Sequence, residues 1–139
     1  MATTEEFLVC DYINMDRVGK PILFGVYPRA EMYLVEREPL VVPTLGVLWI
    51  IKDLPSPRPS AIVEIKGPLV QEIPARPLEW GASDSGLAPD LGVIVMGVQG
   101  IQLTGVDKPI EFVLSLGEDI VLKQNIRLRF WPPAGGEKN

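Results

Sequence analysis

Residues 110–131 read IEFVLSLGEDIVLKQNIRLRFW, two alternating runs around a glycine turn. In the first run, Ile110, Phe112, Leu114 and Leu116 alternate with Glu111, Val113 and Ser115. Successive side chains of a strand point to opposite faces, so the first set forms one apolar row. Gly117-Glu118-Asp119 then supplies turn residues, glycine because it takes positive φ without steric cost. In the second run Ile120, Leu122, Ile126, Leu128 and Phe130 share one parity, and Val121, Lys123, Asn125, Arg127, Arg129 and Trp131 share the other. The pattern predicts an antiparallel hairpin whose two apolar rows face one core. A lone hairpin is only marginally stable in water, so the rest of the chain has to supply a second layer.

The chain has 139 residues, 47% of them hydrophobic, which is enough to bury one real core over residues 1–139. Its formal net charge of −5 is unsuited to phosphate-driven nucleic-acid binding and to anionic membrane surfaces. No apolar run approaches a bilayer-spanning length. Residues 1–6, MATTEE, lack the basic start and apolar segment of a signal peptide, and the expected compartment is the cytoplasm. The single cysteine, Cys10, excludes an intrachain disulfide and a multi-cysteine zinc site. Histidine is absent. That removes the usual general base, the histidine-dependent nucleophile arrangements and histidine metal ligands together. The expectation is a protein without catalytic activity, metal or cofactor.

Along the rest of the chain, residues 7–13 (FLVCDYI) place Phe7, Val9 and Ile13 on one face and Leu8, Cys10 and Tyr12 on the other, with Asp11 interrupting the first row. Turn residues follow over 14–20, then a second run at 21–27 (PILFGVY), in which Gly25 marks a bulge or a close backbone approach. Met32 to Val35 is read as a short strand, with a helix over Arg29 to Arg37 as the alternative. Residues 45–54 (LGVLWIIKDL) are apolar on both faces, so this strand is buried on both sides or one face meets another chain. Residues 55–60 (PSPRPS) are a connector, because their prolines fix φ and remove amide donors. Ala61 to Lys66 is a strand, with a short continuation over Leu69 to Ile73. Pro74 to Asp90 is read as the longest irregular region, Gly92 to Thr104 as one glycine-rich strand or two short ones, and residues 132–139 as a flexible tail. This gives an all-β, two-layer antiparallel β-sandwich of about seven to eight strands with little or no helix.

The opening, with Cys10-Asp11-Tyr12, then Gly19-Lys20, then Leu23-Phe24-Gly25-Val26-Tyr27, resembles a family of uncharacterised, mostly bacterial β-sandwich proteins, a domain of unknown function. The similarity covers residues 7–27 and, loosely, the closing hairpin. Trp80 to Asp90 has no counterpart in it. The resemblance implies the sandwich fold and carries no activity or site residue.

Each candidate site has a plain structural reading beside it. Asp11 and Lys20 are a polar pair that can face each other across the first hairpin, either as a Lys-Asp site or as a turn-stabilising ion pair worth roughly 0–1 kcal/mol. Cys10 has no imidazole to activate it and reads as a small packed residue. Asp107, Glu111, Glu118 and Asp119 can be assembled into a cation site, but their spacing matches no calcium loop and solvated turn carboxylates explain them. Trp49 reads as core. Trp80, with Asp84 and Asp90 in the loop it opens, is the candidate ligand anchor. Lys123, Arg127, Arg129 and Trp131 share one strand face, which suits an acidic partner through charge and cation–π contact, or is simply a solvated outer face. The glycines of 92–100 open no helix and fail as a dinucleotide loop. The expected function is contact with a protein partner or with a second copy in a homo-oligomer. The alternative is a small-molecule or carbohydrate module built on the loop around Trp80.

Overall fold

The computed structural model describes residues 1–17, 20–81 and 90–131. Among them nine strands form in chain order: β1 Thr3–Met15, β2 Pro21–Tyr27, β3 Glu31–Val35, β4 Leu40–Lys52, β5 Ala61–Lys66, β6 Ile73–Leu78, β7 Gly92–Leu103, β8 Ile110–Leu116 and β9 Ile120–Trp131. They build one sheet of order β2-β1-β4-β7 and another of order β3-β9-β8-β5-β6, packed as a sandwich. The tail over 132–139 and Asp84 lie outside the described residues.

The hairpin at 110–131 forms as its alternation requires. Ile110 pairs with Ile126 and Leu116 with Ile120, and Gly117 takes φ +63° in the turn. Ile110, Phe112 and Leu114 are fully buried, and Leu122, Ile126, Leu128 and Phe130 meet them in the same core. From the opposite sheet, Val9 of β1, Val47, Trp49 and Ile51 of β4 and Ile94 and Met96 of β7 close that core. Its centre is aromatic. Phe7 lies 5.4 Å from Trp49 and 5.9 Å from Phe112, and Trp49 lies 6.0 Å from Phe112 between ring centroids. Two of these rings belong to one sheet and the third to the other, so the trio bridges the layers. Such pairs add about 0.5–1.5 kcal/mol each beyond area burial.

Two features differ from the sequence expectation, the strand at 73–78 and one parallel pairing. Residues 73–78 form a strand although they include Pro74 and Pro77, because β6 is an edge strand with only β5 beside it, where a missing amide costs least. Residues 92–103 form one strand, the first of the two readings: β7 keeps a continuous register with β4 from Leu40↔Leu103 to Ile51↔Gly92. Pro43 falls opposite Gly100, which takes φ +68°. The pairing is not antiparallel throughout, since β3 runs parallel to β9, with Glu31 beside Arg127 and Val35 beside Trp131. The helix considered over 29–37 reduces to one 3-10 turn, Pro28–Ala30, that carries the chain from the edge of the first sheet to the edge of the second.

Candidate functional site

The first feature follows from where β1 leaves β4. Their pairing ends at Cys10↔Gly46, whereas β1 stays paired with β2 from Val9↔Tyr27 to Met15↔Pro21. Residues 11–15 and 21–25 therefore form a two-stranded arm without β4 beside it, and Val26 stands at its base. The arm is apolar and exposed: Tyr12 is 52% accessible, Phe24 and Val26 49% each, Ile22 42% and Met15 39%. The Tyr12 and Phe24 rings lie 5.8 Å apart. Next to the arm, Leu8, Cys10, Leu48 and Val93 face away from the core by alternation, and Cys10, Leu48 and Val93 are nonetheless buried outside the core cluster. The apolar second face of residues 45–54 is therefore buried in part.

Splaying of β1 from β4 also opens a cleft of about 470 Å³, lined among others by Asp11, Ile13, Thr44, Arg76, Gly97 and Gln99. Asp11 lies between the pairs Cys10↔Val26 and Tyr12↔Phe24, and so opposite Gly25. Gly25 has φ +70°, and a Cβ there would collide with the Asp11 carboxylate. The bare glycine is what seats the carboxylate. Asp11 accepts a hydrogen bond from the Tyr27 hydroxyl. Lys20 lies at the far end of the arm, where its amide donates to Asp16 Oδ1 at 2.7 Å. The structure thus brings Asp11 to Tyr27 rather than to Lys20. Arg76 reaches the same cleft from β6 and donates to the Gly97 carbonyl at 2.8 Å. Burial first, then the hydrogen bond to Asp11 and its charge, push the Tyr27 phenol up to about 12. An ultraviolet titration should show one tyrosine ionising at about that pH, and Asp11→Asn should lower it toward the ordinary value. Unchanged titration in the variant would separate Tyr27 from Asp11. Because the folded phenol holds its proton more tightly than the unfolded one, its stabilisation is complete below about pH 10 and is lost as pH rises toward 12.

Cys10 is a packed residue. Its Sγ lies 3.4 Å from the Tyr12 carbonyl and 3.6 Å from that of Gly46, and burial raises its pKa, so the thiol is held in its unreactive form.

On the second sheet, Lys123, Arg127, Arg129 and Trp131 all stand on the exposed outer face of β9. The parallel strand β3 adds neighbours that local reading did not supply. Glu31 accepts from Arg129 Nε at 2.5 Å, and Tyr33 packs edge-on against Trp131 with centroids 5.8 Å apart. The Arg129 hydrogen bond holds the Glu31 carboxyl below the usual range, and Glu31 in turn raises Arg129. Lys123 lies farther along, opposite Val113.

Trp80 is half-buried at a corner. Its indole N–H donates to the Pro59 carbonyl at 2.9 Å, the Arg58 guanidinium lies 5.4 Å from its ring centroid, and Arg58 donates to the Leu91 carbonyl at 2.8 Å. These contacts tie the proline connector to the start of β7. Asp90 accepts from the Leu54 amide through its backbone, and its side chain is exposed. Glu118 and Asp119 sit at one end of β8 and Asp107 at the other, so these carboxylates do not converge. Among the described residues no three His, Cys, Asp or Glu side chains group to hold a metal ion, and no helix is long and apolar enough to cross a membrane. Comparison with protein-family models, curated proteins and solved structures returned no match.

Proposed function

We propose that this is a non-catalytic interaction protein that associates with a second copy of itself through the β1–β2 arm. The observation that carries this reading is the arm's surface: Tyr12, Ile22 and Phe24, which share one face, are 42–52% exposed on two strands that β4 does not flank, and Val26, 49% exposed, continues that face at the arm's base. An apolar patch of this kind marks an interface, and an uncharged edge such as Pro21–Tyr27 lacks the lysine that usually blocks strand-to-strand pairing. Antiparallel pairing of β2 with its own copy is self-complementary and closes as a two-fold dimer. The test is solution mass by light scattering. Wild type should give twice 15.3 kDa, and Phe24→Glu should give 15.3 kDa with unchanged circular dichroism. A wild-type monomer across micromolar concentrations, or a Phe24→Glu protein that keeps its mass, would refute the arm-to-arm dimer.

A second reading, small-molecule binding, is favoured by the 470 Å³ cleft that holds Asp11 and Arg76. That volume falls within the range of ligand pockets, about 300–1,000 Å³.

A further inference from the structure

The two strands of the closing hairpin are unequal. Pairing of β8 with β9 ends at Ile110↔Ile126, but β9 runs on to Trp131, with β3 on its other side over Arg127 to Trp131. Where β8 has ended, alternate residues of Arg127–Trp131 direct their N–H and C=O groups into a notch in the sheet. The chain turns away there through Val106–Pro109, and a groove of about 420 Å³ separates that turn from β9. Its lining includes Lys108, Arg127 and Arg129 against one carboxylate, Asp107, on a chain whose net charge is −5.

We infer that this notch takes a short acidic peptide in extended conformation, which adds as a strand to the flank of β9 that no described strand occupies. The backbone supplies half of the recognition. An incoming strand at the usual spacing of about 4.8 Å satisfies the flank of β9 as β8 does earlier along it. Charge supplies the rest. Arg127 and Arg129 lie two positions apart on one face, so carboxylates at alternate positions of the incoming strand meet both. Lys108 supplies a third cation from the turn side. Arg129 already binds Glu31, but a guanidinium has five N–H donors and can bridge a second carboxylate. Trp131, 58% exposed at the end of the same flank, offers an apolar contact beyond the charges.

The probe is a blocked peptide of alternating valine and glutamate, followed by amide NMR of the protein and by anisotropy of a labelled copy at low salt. Shifts should concentrate on the amides of Arg127–Trp131. The Lys108→Glu, Arg127→Glu double variant should bind about tenfold or more weakly, as expected when an interfacial charge pair is reversed. The lysine counterpart of the peptide should not bind. Methylation of alternate peptide nitrogens, which keeps every charge but removes strand hydrogen bonds, should weaken binding by a similar factor. Equal binding by the double variant would overturn the site, and equal binding of the methylated peptide would overturn strand addition in favour of simple ion pairing. Tighter capture of a nucleic-acid oligomer than of the peptide would overturn the partner class. The peptide comparison uses the wild-type protein and does not depend on the variant's folding.

Discussion

Replacing Trp49 with alanine is expected to lower the free energy of unfolding by about 3–5 kcal/mol. The indole is fully buried and touches both layers through Phe7 and Phe112, so its loss leaves a cavity that two sheets must collapse to fill. Domains of this size are stable by about 5–15 kcal/mol, so the variant keeps little margin. Trp49→Phe should cost less than half as much. Its ring keeps most of the contacts, and it removes the indole N–H, which is buried without a hydrogen-bond partner. An unpartnered buried donor costs about 1–3 kcal/mol, so its removal offsets part of the lost volume. Urea unfolding of the three proteins measures this. A Trp49→Ala loss below about 1 kcal/mol would mean that the aromatic trio does not hold the layers together.

Gly67→Ala is expected to cost about 3 kcal/mol, through backbone geometry rather than lost burial. Gly67 has φ +141°, and a Cβ there would stand 2.7 Å from the Pro109 carbonyl and 3.1 Å from Ile110 Cα. Those are main-chain atoms at the start of β8, and they cannot swing aside as a side chain does. Gly100→Ala is the control. Its φ of +68° is also unfavourable, but nothing lies within 4 Å of the added methyl. That variant should show only the conformational cost, about 1–2 kcal/mol. Equal losses in thermal unfolding would show that the β5–β8 junction yields, and would remove the steric argument.

The core of this fold was legible because it is written locally. Alternation placed Phe112, Leu114, Ile126 and Leu128 on one face, and each is buried. The two-faced apolar run around Trp49 was legible as well, since few strands other than buried ones carry Leu48 and Trp49 side by side. Strand β6 was not legible, because Pro74 and Pro77 forbid a central strand and sequence does not say which strand lies at an edge. The parallel partnership of β3 with β9 was hidden for a related reason: no local pattern records a pairing between distant segments. Hence Arg127, Arg129 and Trp131 could be placed on one face, while Glu31 and Tyr33, which complete that surface, could not. The partner of Asp11 did leave a signal. Centring the first hairpin on residues 16–20 sets Asp11 opposite Gly25 and puts Tyr27 on the same face two positions on. The glycine could then have been read as space for the carboxylate.

The β3–β9 pairing also sets an order of events during synthesis. Glu31 and Arg129, joined across that pair, are 98 positions apart in the chain. A ribosome delivers β3 early and β9 last among the described strands. The first sheet has all its strands once β7 has emerged, but the second still lacks β8 and β9, and β9 lies between β3 and β8. Until β9 arrives, β3 has no strand partner and β8 is paired only with β5, and contacts so distant in sequence form slowly. A chain lacking residues 120–139, released from the ribosome, should therefore be cut readily by protease within Glu31–Val35, whereas the full chain should resist.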